Sequence, residues 1–306
     1  MDWDLIPGTT VDYNGTPTPE CGSVDQSGVE AFVGGASDSK VGIAAMRYTN
    51  PVTKSFGFQK AVFFAEDDIQ HVMVSMISRN GSAPVYSVLD QKRRRGKVIV
   101  DDAEIPYPAS LASLRRKTLW HDNVGYTFTD LGRNAGLSIF TGKKTGDWSM
   151  IGTSTQPPTE VDFFTAWIQH TNLSTPLSYT TFPGVSYQDF RKKRASAKLR
   201  TLQNNNAVSA IYHEDQKMVM VVFWSPAGGS VTFNPNHGHG NAIRVSSSGN
   251  AAVILRIQMK TVTVSDPSQS LSSVTITIKE GNKTKTVPFI LPTGGSLGQS
   301  VTKRFN

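Results

Sequence analysis

The sequence predicts an all-β protein of about two sandwich domains, and three observations carry that prediction. Apolar and polar residues alternate with period two along much of the chain, as a half-buried strand requires. Short continuous apolar runs of strand length interrupt the alternation, and Gly or Pro separates most segments. At 306 residues there is material for about two domains.

The elements follow in chain order. In "DWDLIPGTT", residues 2 to 10, two carboxylates flank Trp3, Pro7-Gly8 makes a turn, and Thr9-Thr10 opens the first strand. Cys21 is the only cysteine, so no internal disulfide forms, and it is expected to pack as a small hydrophobe. "FFAEDDIQHV" places Glu66, Asp67 and Asp68 after an aromatic strand. Such an oxygen-rich cluster can hold Ca²⁺, and the competing reading is an acidic turn between two strands. "KRRRGK" concentrates Lys92 to Arg95 and Lys97, with no aromatic among them. "TLWHDNVGY" brings Trp120, His121, Asp122, Asn123 and Tyr126 into one stretch that can supply a general base, or that simply turns and starts a strand.

Helix is scarce. "SYQDFRKKRASAKL" is the best candidate, with Ser186 able to cap the first turn and Asp189 three residues on. It reads as a connector over 191–197 between a domain at 1–190 and one at 198–306. "MVMVVFW", residues 218 to 224, fits a strand covered on both faces. "NPNHGHGN" sets His237 and His239 two apart, a metal-compatible spacing inside what reads as an exposed turn. "LRIQMKTVTV" is expected to be one strand with Leu255, Ile257 and Met259 inward. "VTITIKEGNKTKTV" is expected to be a hairpin turning at Glu280-Gly281-Asn282, and "GGSLGQS" a flexible end.

Composition narrows the function classes. Hydrophobic residues make up 38% and charged residues 18%, and no apolar run is long enough to cross a membrane as a helix. The first fifteen residues hold Asp2, Asp4 and Asp12 and lack the features of a secretory signal; sequons begin at Asn14, Asn80, Asn172 and Asn282, a number chance can supply. Net charge is +7 with clustered cations, which suits a polyanionic partner, and charge alone does not choose between a nucleic acid and an acidic polysaccharide. No nucleophile elbow, zinc-protease helix, paired C-x-x-C or Walker loop is present.

Several stretches taken together carry a resemblance. "DWDLIPGTT", "FVGGASDSKVGIAAMRY", "KAVFFAEDDI", "TLWHDNVGYTF", "TGDWSMI", "FFTAWIQH", "SYTTFPGVS" and "SDPSQSLSSVTITI" follow one another in an order that resembles the β-sheet portion of family 8 polysaccharide lyases, the hyaluronate, chondroitin AC and xanthan lyases. The resemblance implies a large antiparallel supersandwich, similar to the galactose mutarotase fold, followed by a smaller C-terminal β-sandwich. It further implies an extracellular enzyme that cleaves uronate-containing polysaccharides by β-elimination, in a cleft between these sheets and an N-terminal helical toroid. The family's catalytic Asn, His, Tyr and Arg belong to toroid motifs with no match in this chain, so no catalytic residue is carried over, not even to His121 or Tyr126. The expectations are therefore an acidic polysaccharide partner, neither nucleic acid nor membrane, and Arg93, Arg94 and Arg95 as basic binding candidates. No cofactor is required, with Asp67 and Asp68 as candidates for a structural Ca²⁺. Residues 1 to 306 alone are expected to be inactive, an apolar or aromatic patch is expected near Trp3, and a free-standing glycan-binding protein is the alternative.

Overall fold

The computed structural model describes residues 2–17, 27–129, 131–132, 134–150, 152–236 and 238–305; Cys21 and His237 lie outside them. The strands of the first part are β1 Thr10–Asp12, β2 Val33–Ser37, β3 Gly42–Thr49, β4 Phe56–Phe64, β5 Gln70–Arg79, β6 Val85–Arg93, β7 Val98–Val100 and β8 Ala103–Glu104. There follow β9 Ala109–Leu114, β10 Thr118–His121, β11 Val124–Phe128, β12 Ala135–Gly146, β13 Thr159–His170 and β14 Leu177–Pro183, then the helix α1, Tyr187–Ser196. The last part holds β15 Leu199–Asn204, β16 Val208–His213, β17 Met218–Phe223, β18 Gly229–Phe233, β19 Ile243–Ser247, β20 Ala251–Arg256, β21 Thr261–Ser265, β22 Ser273–Glu280, β23 Lys283–Ile290 and β24 Val301–Arg304. The all-β expectation holds.

Two compact units form. The first is Met1–Val29, Thr49–Phe58 and Ile77–Arg194; the second is Glu30–Tyr48, Gln59–Met76 and Ala195–Asn306. In the first, a five-stranded antiparallel sheet runs β1-β6-β13-β12-β9, and its centre is the twelve-residue ladder from Ala135↔His170 to Gly146↔Thr159. A second sheet contributes the stretch β14-β11-β10-β7-β8. Helix α1 has the anticipated cap: the Asp189 N–H donates to Ser186 Oγ at 3.1 Å, and that hydroxyl donates to Asp189 Oδ2 at 2.7 Å. Its one buried side chain, Phe190, lies so close to Gly125 of β11 that any Cβ there would stand 2.2 Å from the ring. Glycine is therefore required at that point on steric grounds.

In the second unit, the six-stranded sheet β15-β16-β17-β20-β21-β24 and the four-stranded sheet β18-β19-β22-β23 enclose a core including Tyr212, Phe223, Val253, Ile276 and Phe289. The opposite face of the six-stranded sheet buries Ile211, Met220, Trp224 and Ile254 against Phe32, just before β2, and Ile43, Phe63 and Met73 of β3 to β5. Alternation along β17 sends Val219, Val221 and Phe223 to the first core and Met218, Met220, Val222 and then Trp224 to the second, which explains the unbroken apolar run. Trp224 is completed by a 3.0 Å bond from its Nε1–H to Ser209 Oγ, and truncating so large a buried side chain costs about 3–5 kcal/mol.

Two expectations about strands require correction. "LRIQMKTVTV" is not one strand: β20 ends at Arg256, the Lys260 N–H bonds the Ile257 carbonyl across a turn, Lys260 has φ 52°, and Met259 is 57% exposed. A four-residue turn happened to preserve the apolar–polar alternation. "GGSLGQS" is not a loose end either, because it leads into β24, which pairs with β21, and Ser265 Oγ donates to the Gly298 carbonyl at 2.8 Å. The hairpin at Gly281 forms as expected, with Glu280 opposite Lys283 and Gly281 at φ 56°.

Candidate functional site

The cations of the basic turn between β6 and β7 divide into two kinds. Lys92 Nζ is 3.0 Å from Asp90 Oδ2, Lys97 Nζ is 2.9 Å from Glu104 Oε2, and Arg94 lies 3.7 Å from Asp162 with its guanidinium 4.4 Å over the ring of Tyr107. These three are held. Arg93 and Arg95 are exposed, and neither has a carboxylate partner among the described residues. Of the three arginine candidates, Arg94 is engaged by Asp162 and Tyr107, whereas Arg93 and Arg95 stand exposed to solvent. Tyr107 is the aromatic that the basic run itself lacks; it arrives from the β8–β9 connection, and sequence spacing gave no sign of it.

His121 braces the turn from beneath. Its Nδ1 is 3.1 Å from the Lys97 carbonyl, which can only accept, so Nδ1 carries the proton, and Nε2 is left to accept from the Arg95 N–H at 3.5 Å. The ring packs 4.2 Å from Phe164, and burial holds the imidazole below its ordinary pKa. Tyr126 is equally committed: it is buried, its hydroxyl donates to the Leu89 carbonyl at 3.1 Å, and burial raises its pKa well above the usual phenol value. Asp122 and Asn123, at φ 44° and 65°, form the two-residue turn between the paired residues His121 and Val124, and Trp120 Nε1–H donates to the Val185 carbonyl at 3.0 Å. This stretch is a hairpin with a structural histidine.

The other candidates are placed as follows. Asp67 and Asp68 occupy the β4–β5 turn with φ 62° and 58°, while Glu66 Oε1 lies 3.3 Å from Arg256 Nη1. Among the described residues no three His, Cys, Asp or Glu side chains converge as a metal centre would need. His239 lies in an exposed turn. Near the start of the chain, the Asp2 N–H donates to Gln91 Oε1 at 2.7 Å and Tyr13 Oη donates to Asp2 Oδ2 at 2.9 Å, fastening the segment that presents Trp3. Trp148, 59% exposed, has its ring centroid 5.6 Å from that of Trp3 and lines a shallow depression with Gly152, Thr153, Ser154 and Gln156. An aromatic patch thus stands where one was expected.

Sequence comparison places this architecture. The chain matches the model of the polysaccharide lyase family 8 super-sandwich domain over residues 1–194 and that of the family's C-terminal beta-sandwich domain over residues 200–275. The chain belongs to polysaccharide lyase family 8. Among its family 8 relatives, chondroitinase-AC of Pedobacter heparinus is 26% identical over 292 residues, covering 93% of this chain and 39% of the relative. Hyaluronate lyase HylB of Enterococcus faecalis is 22% identical over 301 residues, covering 91% of this chain and 28% of the relative. The chain therefore spans well under half the length of these relatives. The fold superposes on a chondroitinase AC lyase with a TM-score of 0.85 at 24% identity, over 99% of this chain and 44% of the other. It also superposes on a Paenibacillus xanthan lyase with a TM-score of 0.81 at 19% identity, over 99% of this chain and 30% of the other. Both likenesses speak for the fold alone.

Proposed function

We propose that this family 8 chain supplies a β-sheet wall for a uronate-containing polysaccharide undergoing β-elimination, and that residues 1–306 by themselves bind the polymer without cleaving it. The observation that carries the reading is the braced basic turn, which offers Arg93 and Arg95 to solvent while His121 and the Arg94–Tyr107 stack hold its backbone. The named relatives, a chondroitinase and a hyaluronate lyase, both point to acidic glycans.

Elimination needs a base at the C5 proton and neutralisation of the adjacent carboxylate as an enolate develops. In this stretch the imidazole and phenol that resemble such groups are buried and bonded to backbone, so the free arginines serve attraction and alignment. The exposed Trp148, tilted against Trp3 with ring centroids 5.6 Å apart, supports a covering helical domain of the kind the family resemblance implies. Secretion belongs to the same reading, since the polymers lie outside the cell.

Affinity electrophoresis of the 306-residue chain in gels containing hyaluronan, chondroitin sulfate, xanthan or DNA tests binding. Retardation by the glycans is expected, reduced several-fold in Arg93→Gln/Arg95→Gln and weaker with DNA at matched charge. Ultraviolet absorbance of unsaturated uronate products tests turnover and should stay flat. Equal retardation by DNA would reduce the reading to simple charge, and a steady absorbance rise would overturn the claim of inactivity.

A further inference from the structure

The outer face of the four-stranded sheet has a composition that packing does not require. Residues facing away from the core fall into registered rows across β18, β19, β22 and β23. One row is Ser230, Ser246, Thr277 and Thr286; the next is Thr232, Arg244, Lys279 and Thr284. Further along β22 and β23 the same face carries Ser273, Thr275, Pro288 and Ile290. Hydroxyls dominate it, two cations stand side by side in the row next to the Gly281 hairpin, and among the described residues it carries no carboxylate.

Arg244 and Lys279 are direct cross-strand partners, an arrangement in which like charges repel. Arg244 Nη2 donates to Ser230 Oγ at 3.0 Å, and neither cation has a carboxylate partner among the described residues. At about 4.8 Å per strand, each row runs roughly 14 Å, so the pair of cations is flanked on both sides by hydroxyls. No aromatic ring lies on this face to stack on a base, which argues against a nucleic acid.

We propose that this face is a second binding site for an acidic polysaccharide, with a carboxylate or sulfate bridging Arg244 and Lys279 and the sugar hydroxyls exchanging hydrogen bonds with the Ser/Thr rows. The inference rests on the reading of the chain as an acidic-glycan binder, but on a different sheet and different residues. Charge complementarity selects the occupant: a bound anion relieves the Arg244–Lys279 repulsion, and the flanking hydroxyls match a polyol rather than an apolar partner.

The test uses the full chain in four forms: unmodified, Arg93→Gln/Arg95→Gln, Arg244→Gln/Lys279→Gln, and all four substitutions together, with circular dichroism confirming that each folds. In affinity gels with hyaluronan and chondroitin sulfate, Arg244→Gln/Lys279→Gln should weaken retardation about threefold, and the combined form should weaken it further than either pair. A further variant, Thr232→Val/Thr284→Val, keeps both charges and strand propensity and should still weaken glycan retardation while leaving DNA unaffected. If Arg93→Gln/Arg95→Gln abolishes all retardation, or Arg244→Gln/Lys279→Gln changes nothing, the second site is overturned, and the first stands wherever Arg93→Gln/Arg95→Gln weakens retardation. If only Arg244→Gln/Lys279→Gln weakens binding, the second site stands and the first falls; if the unmodified chain is not retarded by either glycan, both fall.

Discussion

Carboxylates gather in this chain where the backbone turns through left-handed space. Asp101 and Asp102 (φ 47° and 66°) sit between the paired residues Val100 and Ala103, as Asp122 and Asn123 do between His121 and Val124, and Asp67 and Asp68 share the same φ sign. Asp and Asn tolerate this conformation better than other non-glycine residues, and two-residue hairpins demand it. Backbone geometry therefore gives these aspartates a structural reason that stands beside the calcium reading of Asp67 and Asp68. The distinction is measurable at Asp68. Asp68→Asn, which keeps the turn and removes the charge, should leave the thermal midpoint unchanged with or without added calcium, whereas Asp68→Val should cost about 1–2 kcal/mol. A calcium-dependent stabilisation of the parent chain, lost in Asp68→Asn, would restore the ligand reading.

Elements show which signals sequence can carry. The helix was legible because its cap is local: Ser186 and Asp189 satisfy each other within one turn, and Ser186→Ala should lower stability by about 1 kcal/mol in a denaturant titration, with Ser186→Asp retaining most of it. An unchanged midpoint in the alanine variant would show that packing of Phe190, not the cap, fixes this terminus. The β17 run was legible for the same reason, since strand length and continuous hydrophobicity suffice. The turn at Ile257–Lys260 was not, because apolar and polar residues keep alternating through it and only the φ of Lys260 betrays the reversal. At the basic turn, the cations were visible in sequence, but their division into held and free depends on Asp90, Glu104, Asp162 and Tyr107, partners that only the fold delivers.

For the whole molecule, His71, Asp38 and Asp266 share one direction of pH response. His71 is buried, with Nε2 3.3 Å from Thr201 Oγ1, and burial pulls its pKa down to about 4. The unfolded chain binds that proton more readily, so its effect is to erode stability as pH falls from about 6.5. Asp38 and Asp266 act lower. Burial raises both, but bonds to their charged forms outweigh it: Arg256 and the Val41 and Lys40 N–H groups at Asp38, and Ser268 with the Leu271, Ser268 and Ser270 N–H groups at Asp266. Their folded pKa values are lowered, so their contribution is present above the ordinary carboxylate value of about 3.9 and is lost below it. The thermal midpoint should thus decline in two stages on acidification. His71→Gln should shallow the first stage and Asp266→Asn the second; a midpoint independent of pH between about 6.5 and 3 would contradict both assignments.

The strand Met218–Phe223 has a consequence for how the second unit comes apart. Because successive side chains enter different cores, neither core owns a wall that the other can do without. Loosening one core frees the backbone that aligns the other, so the two layers are expected to melt in a single transition rather than one after the other. The strand works as a party wall between two dwellings: damage on either side is felt in both, and the pair stands or collapses together.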